Sequence, residues 1–242
     1  MKELKLSNKI KKILVDFIER IKVSQGENLV SVILYGSAAS GEFSDKHSNI
    51  NILVVLNDSG LGEITKIASF FNKAKFTNIN PLFFTRDFIN QSLDVFPVEF
   101  LDIKENYFVL FGEDVPVNFN IDIKNLRYQC EHELRTKLIN IRKLYLENLK
   151  SPKLLRSILV SSCNSVLHVT RNLLRIKNKP TPYVKDEIIS QLSKEFGLDA
   201  EIFTKVLDIK KRNLKPGTLI TVGLFSGFIN ELEKIIKIVD SL

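Results

Sequence analysis

The chain has 242 residues, of which 44% are hydrophobic and 26% charged, enough for one large domain or two smaller ones and ordinary for a globular protein. No apolar run reaches the length of a membrane span, and the basic N-terminus lacks the continuous apolar stretch of a signal peptide, so a cytoplasmic setting is expected and a membrane role is not. A formal net charge of +7 admits a polyanionic partner. The basic residues fall in short scattered groups, as on a solvated surface, and nucleic acid is therefore not indicated as the ligand.

In chain order, Ile10, Ile13, Leu14, Phe17, Ile18 and Ile21 recur at helical spacing and predict a first amphipathic helix. "LVSVILYG" predicts a strand ending at Gly36. "INILVVL" is apolar at nearly every position and predicts a second strand buried on both faces. A helix over "LGEITKIASFFNKA" follows, then a strand at "NINPLFFT", where Pro81 points to a sheet edge or a strand start. A short helix from about Arg86 leads to a fourth strand at "FPVEFLDI" and a fifth at "YFVLFGED".

From about Ile123 the pattern is helix after helix. Leu134, Leu138, Ile141, Tyr145 and Leu149 share one face of the first. "KLLRSILVSSCNSVLHVTRNLLRI" is denser in apolar residues and predicts the central helix of a bundle. After the Pro-broken loop "KNKPTPY" come two shorter helices split at "FGLDA", with Gly197 as a C-cap, and a long last helix from about Thr218 to Val239. The expected boundary lies in "GEDVPVNFNID", with an α/β domain over 1–117 and a helical domain over 118–242. Cys130 and Cys163 sit in helical patterns outside any C-x-x-C spacing and read as small core residues.

Chemistry is concentrated in "LYGSAASGEFSDKHSNINILVVL". A strand ends in Gly36-Ser37, and after eleven intervening residues Asn49 and Asn51 open the next strand. Residues two apart on a strand project to the same side, so the two amides are expected to point together toward the Gly-Ser turn.

This segment resembles the nucleotidyltransferase superfamily of polymerase-beta-like fold, in its branch related to aminoglycoside nucleotidyltransferases. The shared pattern is a Gly-Ser turn, a spacer of this length and an Asp-x-Asp pair on the second strand. A further carboxylate comes from a later strand, and a helical C-terminal domain stands alongside. "LRYQCEHELRTKLINIRKLYL" and "INELEKIIKIVDSL" are similar to that helical partner, so the resemblance spans most of the chain. It implies an α+β fold, with a nucleotidyltransferase-type mixed sheet, flanking helices and an antiparallel helical bundle, and a ligand cleft between the domains. By the same resemblance Gly36 and Ser37 lie beside a nucleoside triphosphate, and Glu99 in "FPVEFLDI" is the later carboxylate.

The carboxylates of such a site hold Mg²⁺ ions that clamp the attacking and leaving oxygens of the transferred phosphate. Here the Asp-x-Asp positions are Asn49 and Asn51. An amide oxygen can ligate Mg²⁺ but brings no charge and cannot act as a base. With Glu99 alone remaining, ligand charge falls from about −3 to about −1, which severely weakens metal binding at Asn49, Asn51 and Glu99. The expected protein is thus a nucleotidyltransferase fold with impaired catalysis that keeps nucleotide binding or a regulatory role. One alternative is an active Mg²⁺-dependent transferase that moves a nucleoside monophosphate to an acceptor hydroxyl with help from Asp45. Another is a non-enzymatic scaffold whose helical bundle forms a homodimer.

Other candidates have plainer readings. Asp45 is a loop acid, and Asp102, three residues from Glu99, should face the opposite side of the expected strand. Arg127 and His132 form a surface pair near a helix start, His168 is expected to be buried or interhelical, and His47 to lie in a loop. Tyr183 either stacks on a base or sugar or packs its own loop, with Arg171 and Arg175 nearby in sequence.

Overall fold

The computed structural model describes residues 6–41, 49–72 and 74–242. The chain forms two compact units, Met1–Ile121 and Asp122–Leu242. In the first, the chain order is α1 (Asn8–Gln25), β1 (Leu29–Tyr35), α2 (Ser37–Ser40), β2 (Ile50–Leu56), α3 (Leu61–Phe71), β3 (Ile79–Thr85), α4 (Arg86–Ser92), α5 (Pro97–Glu105) and β4 (Tyr107–Gly112). The second unit holds α6 (Ile123–Glu147), α7 (Pro152–Ile176), α8 (Lys185–Phe196), α9 (Ala200–Lys211) and α10 (Thr218–Asp240). Among the described residues no helix is long and apolar enough to cross a membrane.

The four strands form one mixed sheet in the order β3-β2-β1-β4. β1 pairs antiparallel with both β2 and β4, and β2 pairs parallel with β3. β1 and β2 occupy the centre, which is why they are apolar almost throughout: Val32 to Leu34 and Ile52 to Leu56 have no exposed surface. Pro81 is accommodated because β3 is an edge strand. On one face α1 and α3 cover the sheet around Phe17, Phe70 and Phe76. On the other, Ile33, Leu53 and Val55 pack with Ile89, Phe100, Ile103 and Phe119.

"FPVEFLDI" is a correction to the sequence expectation. It forms helix α5, with Pro97 in its first turn, and the sheet has no strand there. Phe100 and Ile103, three residues apart, bury one helical face on the sheet. Proline at the first helical position lacks a donor that would be unsatisfied anyway, and its φ suits the helix.

The β1–β4 pairing closes on Gly112, at φ 77°. A Cβ there would stand 2.0 Å from the carbonyl oxygen of Val30, so no other residue fits. The hydroxyl of buried Ser31 lies 3.0 Å from the Phe111 carbonyl and 2.7 Å from that of Glu113, satisfying the end of the ladder. The first unit extends through Phe119 and Ile121 because both pack against the α5 side of the sheet.

In the helical unit, α7 is the most buried helix, in keeping with its apolar density. α6 and α10 run antiparallel: Arg127 meets the Val239 carbonyl, Arg142 pairs with Glu233, and the rings of Tyr145 and Phe225 lie 4.8 Å apart. Gly197 ends α8 in the left-handed conformation at φ 67° and donates its N–H to the Ser193 carbonyl. Cys130 and Cys163 are buried and form no disulfide, and burial pushes the Cys163 thiol up to about 12. His168, expected in the interior, is exposed on α7.

Candidate functional site

The last residue of β1 is Tyr35, paired in register with Asn51 of β2 on one side and Tyr107 of β4 on the other. Asn51 is in turn the register partner of Asn80 on β3. Strand alternation puts Asn51 on the side of Leu53 and Val55, Asn80 on the side of Leu82 and Phe84, and Tyr35 on the side of Ile33. All three therefore face the α5 side at one end of the sheet. Asn80 Nδ2 donates to Asn51 Oδ1 at 3.2 Å. Asn49 stands just ahead of β2 and is exposed.

The turn after β1 shapes this end. Gly36 adopts φ 73° and ψ −145°, which favours glycine. A Cβ at Gly36 would come 3.2 Å from Asn51 Nδ2, so the missing side chain is where Asn51 fits. The Gly36 N–H donates to the Asn106 carbonyl, and its own carbonyl accepts from Ala39 and Ser40, opening the short α2 at half-buried Ser37.

Glu99 lies in the first turn of α5, not on a strand. Asp102, three residues on, therefore shares its side of the helix, where a strand would have separated them. Both act on Tyr35. Its phenol is pushed up to about 12, first by burial, then by the negative charges of Asp102 and Glu99. Tyr107 is also pushed up to about 12, by burial and by its 2.8 Å hydrogen bond to Asp114.

The strand position beside Asn51 is thus Asn80, which sequence reasoning passed over. Its signal was faint: it lies in "NINP", where a strand start was the natural reading. Asn49, Asn51 and Asn80 present neutral amides, and Asn80 donates a hydrogen bond to Asn51. Among the described residues no group of three or more His, Cys, Asp or Glu could hold a metal ion. Mg²⁺ favours hard anionic oxygens in an octahedral shell, and this donor set does not fit it. Asp45 and His47 lie outside the described residues.

In the helical unit, Arg127 pairs with Glu131 and stacks on Tyr128, and His132 is exposed, so the two serve the surface of α6. Arg171 and Arg175 are both buried, and the Arg171 guanidinium covers the Tyr183 ring at 4.1 Å. Tyr183 is therefore packed by its own unit.

A mixed sheet with a Gly36-Ser37 turn after β1, an Asn49-x-Asn51 pair at the head of β2 and a helical second unit make up a fold of nucleotidyltransferase type. A solved structure similar to this chain is that of spectinomycin adenyltransferase AAD(9) from Enterococcus faecialis with ATP and spectinomycin. The likeness has a TM-score of 0.59 and spans 90% of this chain and 98% of that one, at 13% identity, so it is a likeness of fold. No protein-family model matches the chain. No curated protein matches it either.

Proposed function

We propose that this is a nucleotidyltransferase-fold protein with impaired transfer chemistry that binds a nucleoside triphosphate at the Gly36-Ser37 end of its sheet, in the cytoplasm. The observation that carries this reading is the Asn51–Asn80 amide pair. In a metal-dependent site, neighbouring strand positions repel one another until a cation joins them. Here the neighbours are neutral and already hydrogen-bonded. Asn49 is the third neutral position. Glu99 remains as a carboxylate of the site, reaching it from α5 alongside Asp102.

Nucleotide binding is supported by the fold likeness to a protein solved with ATP. The Gly36 turn supports it too, since at φ 73° it ends β1 beside Asn51 and places Ser37 at the same end of the sheet. Without a metal, the triphosphate is held by backbone N–H groups, the Ser37 hydroxyl and the Asn amides. Loss of two or more metal-binding charges removes several kcal/mol of transition-state stabilisation, and each ~1.4 kcal/mol is about tenfold in rate.

The test is thermal melting with ATP, GTP, CTP and UTP, each with and without Mg²⁺, together with an assay of pyrophosphate release. A ligand that binds the folded state alone raises the melting temperature. Stabilisation by one nucleotide without a need for Mg²⁺, and no pyrophosphate release, is the expected result. Robust Mg²⁺-dependent turnover by the unaltered chain would overturn it.

A further inference from the structure

We infer that the outer face of α6 and α10 is a docking surface for a second copy of the chain, closing a four-helix bundle. α6 presents Arg135, Leu138, Arg142 and Tyr145 along this face, and α10 presents Val222, Ser226, Ile229, Glu233, Ile236 and Asp240. Both series alternate steps of three and four residues, the spacing of a helix seam that receives another helix. Two cavities lie in the groove between them, of about 360 Å³ and about 530 Å³, both lined by Arg142. The flanks carry large apolar side chains in water: Ile139 is 66% exposed, Leu146 70% and Leu219 86%.

The distribution of charge along the groove selects the occupant. One half is apolar, with Tyr145 and Leu146 near the end of α6, and Leu149 just beyond it, beside Leu219 and Val222 of α10. The other half is ionic: Arg135 and Arg142 of α6 pair with Asp240 and Glu233 of α10 across the seam, with the exposed cation Lys237 of α10 beside them. A two-fold axis running along the helices lays α6 of one copy against α10 of the other. Apolar half then meets apolar half, and the arginines of each copy meet the acids of its partner. The surface is thus complementary to itself, as a two-fold interface must be. A groove about 30 Å long and about 20 Å across buries about 600 Å² per copy, at the lower end of specific dimers.

Sedimentation of the full chain tests this. The expected mass at micromolar concentration is twice the 27.7 kDa of one chain. Leu146→Glu and Leu219→Glu, on different helices of the apolar half, should each weaken association at least about tenfold. Both positions are exposed, so circular dichroism should match the unaltered chain, as should the melting temperature at concentrations where both are monomeric. Val23→Glu, at an equally exposed apolar position on α1, should leave the dimer intact. Arg142→Glu should weaken the dimer, and Arg142→Glu with Glu233→Arg should restore it. A monomer at all concentrations up to about 100 µM overturns the proposal and leaves the groove to a different protein. A dimer insensitive to Leu146→Glu and Leu219→Glu also overturns it, since association would then use another face.

Discussion

Asn80 of β3 stands directly beside Asn51 of β2: the two are register partners, and the Asn80 amide donates to Asn51 Oδ1 at 3.2 Å. This pairing makes the chemistry of the sheet end a property of two strands, not of the Asn49-x-Asn51 pair alone.

Restoring acids at only two positions should therefore be insufficient. Asn49→Asp/Asn51→Asp leaves the Asn80 amide donating to the residue at 51, so a carboxylate there is accommodated and Mg²⁺ affinity stays low. Adding Asn80→Asp places two carboxylates side by side. Without divalent metal the triple variant should lose about 1–3 kcal/mol of stability through like-charge repulsion. Millimolar Mg²⁺ should recover that loss in the triple variant and have little effect on the unaltered chain. Denaturant melts with and without Mg²⁺ measure both; equal Mg²⁺ responses in all three proteins would refute this role for Asn80.

Gly36→Ala should disturb the same place from the other side. The new methyl must adopt φ near 73° and approach Asn51 Nδ2 to 3.2 Å. Holding a non-glycine residue there costs about 1–3 kcal/mol. The expected outcome is a stability loss of that size by chemical denaturation, with any nucleotide-induced rise in melting temperature reduced as well. The strand preceding it is buried at five of its seven positions, so the fold itself should survive.

Much of this was legible in the sequence. Central strands buried on both faces left unbroken apolar runs, and Gly36, Gly197 and the long helices of the second unit followed from turn chemistry and periodicity. Two things were not. "FPVEFLDI" places Phe96, Val98 and Phe100 at period two and imitates a strand, while its helical pair Phe100 and Ile103 emerges only at the far end. Pro97 followed by an acidic residue in the first turn was the competing helix signal. That misreading put Glu99 on a strand and hid Asn80. Which strand lies beside β2, and in which register, is a matter of tertiary pairing that local periodicity does not encode.

Alkaline pH should expose the environment of Tyr35. Its folded-state pKa is pushed up to about 12 from an ordinary 10, with burial the largest cause. Above pH 10 the unfolded chain loses this proton while the native one keeps it. Stability should hold below about pH 10 and fall between about 10 and 12, by about 3 kcal/mol for Tyr35 if the full shift operates. Tyr107 acts in the same direction. In Tyr35→Phe the slope of stability against pH across this window should become shallower. Glu99→Gln/Asp102→Asn should bring the Tyr35 pKa down only part of the way, because the burial contribution persists; tyrosine-specific NMR titration distinguishes the two variants.

Glu231 supplies the sharpest prediction for the helical unit. It is a carboxylate with only 4% of its surface exposed, on α10. It accepts the Asp199 backbone N–H at 2.9 Å and the Lys234 ammonium at 2.5 Å. Asp199 in turn caps α9, its side chain accepting from the Glu201 N–H. One carboxylate thus fixes the entry of α9 to α10. The Lys234 ammonium is held above its ordinary range by that hydrogen bond and charge. In Glu231→Ala the Asp199 N–H loses its acceptor, and removal of a charged hydrogen-bond partner costs about 1.5–3 kcal/mol. Glu231→Gln keeps an oxygen for Asp199 and should cost less. Lys234→Ala should cost less still, because Lys234 is mostly in water and an exposed ion pair contributes little. The order Ala at 231, then Gln at 231, then Ala at 234, measured by urea denaturation, is the expected outcome. A Lys234→Ala loss equal to that of Glu231→Ala would show that the ion pair, and not the cap on α9, is what Glu231 provides.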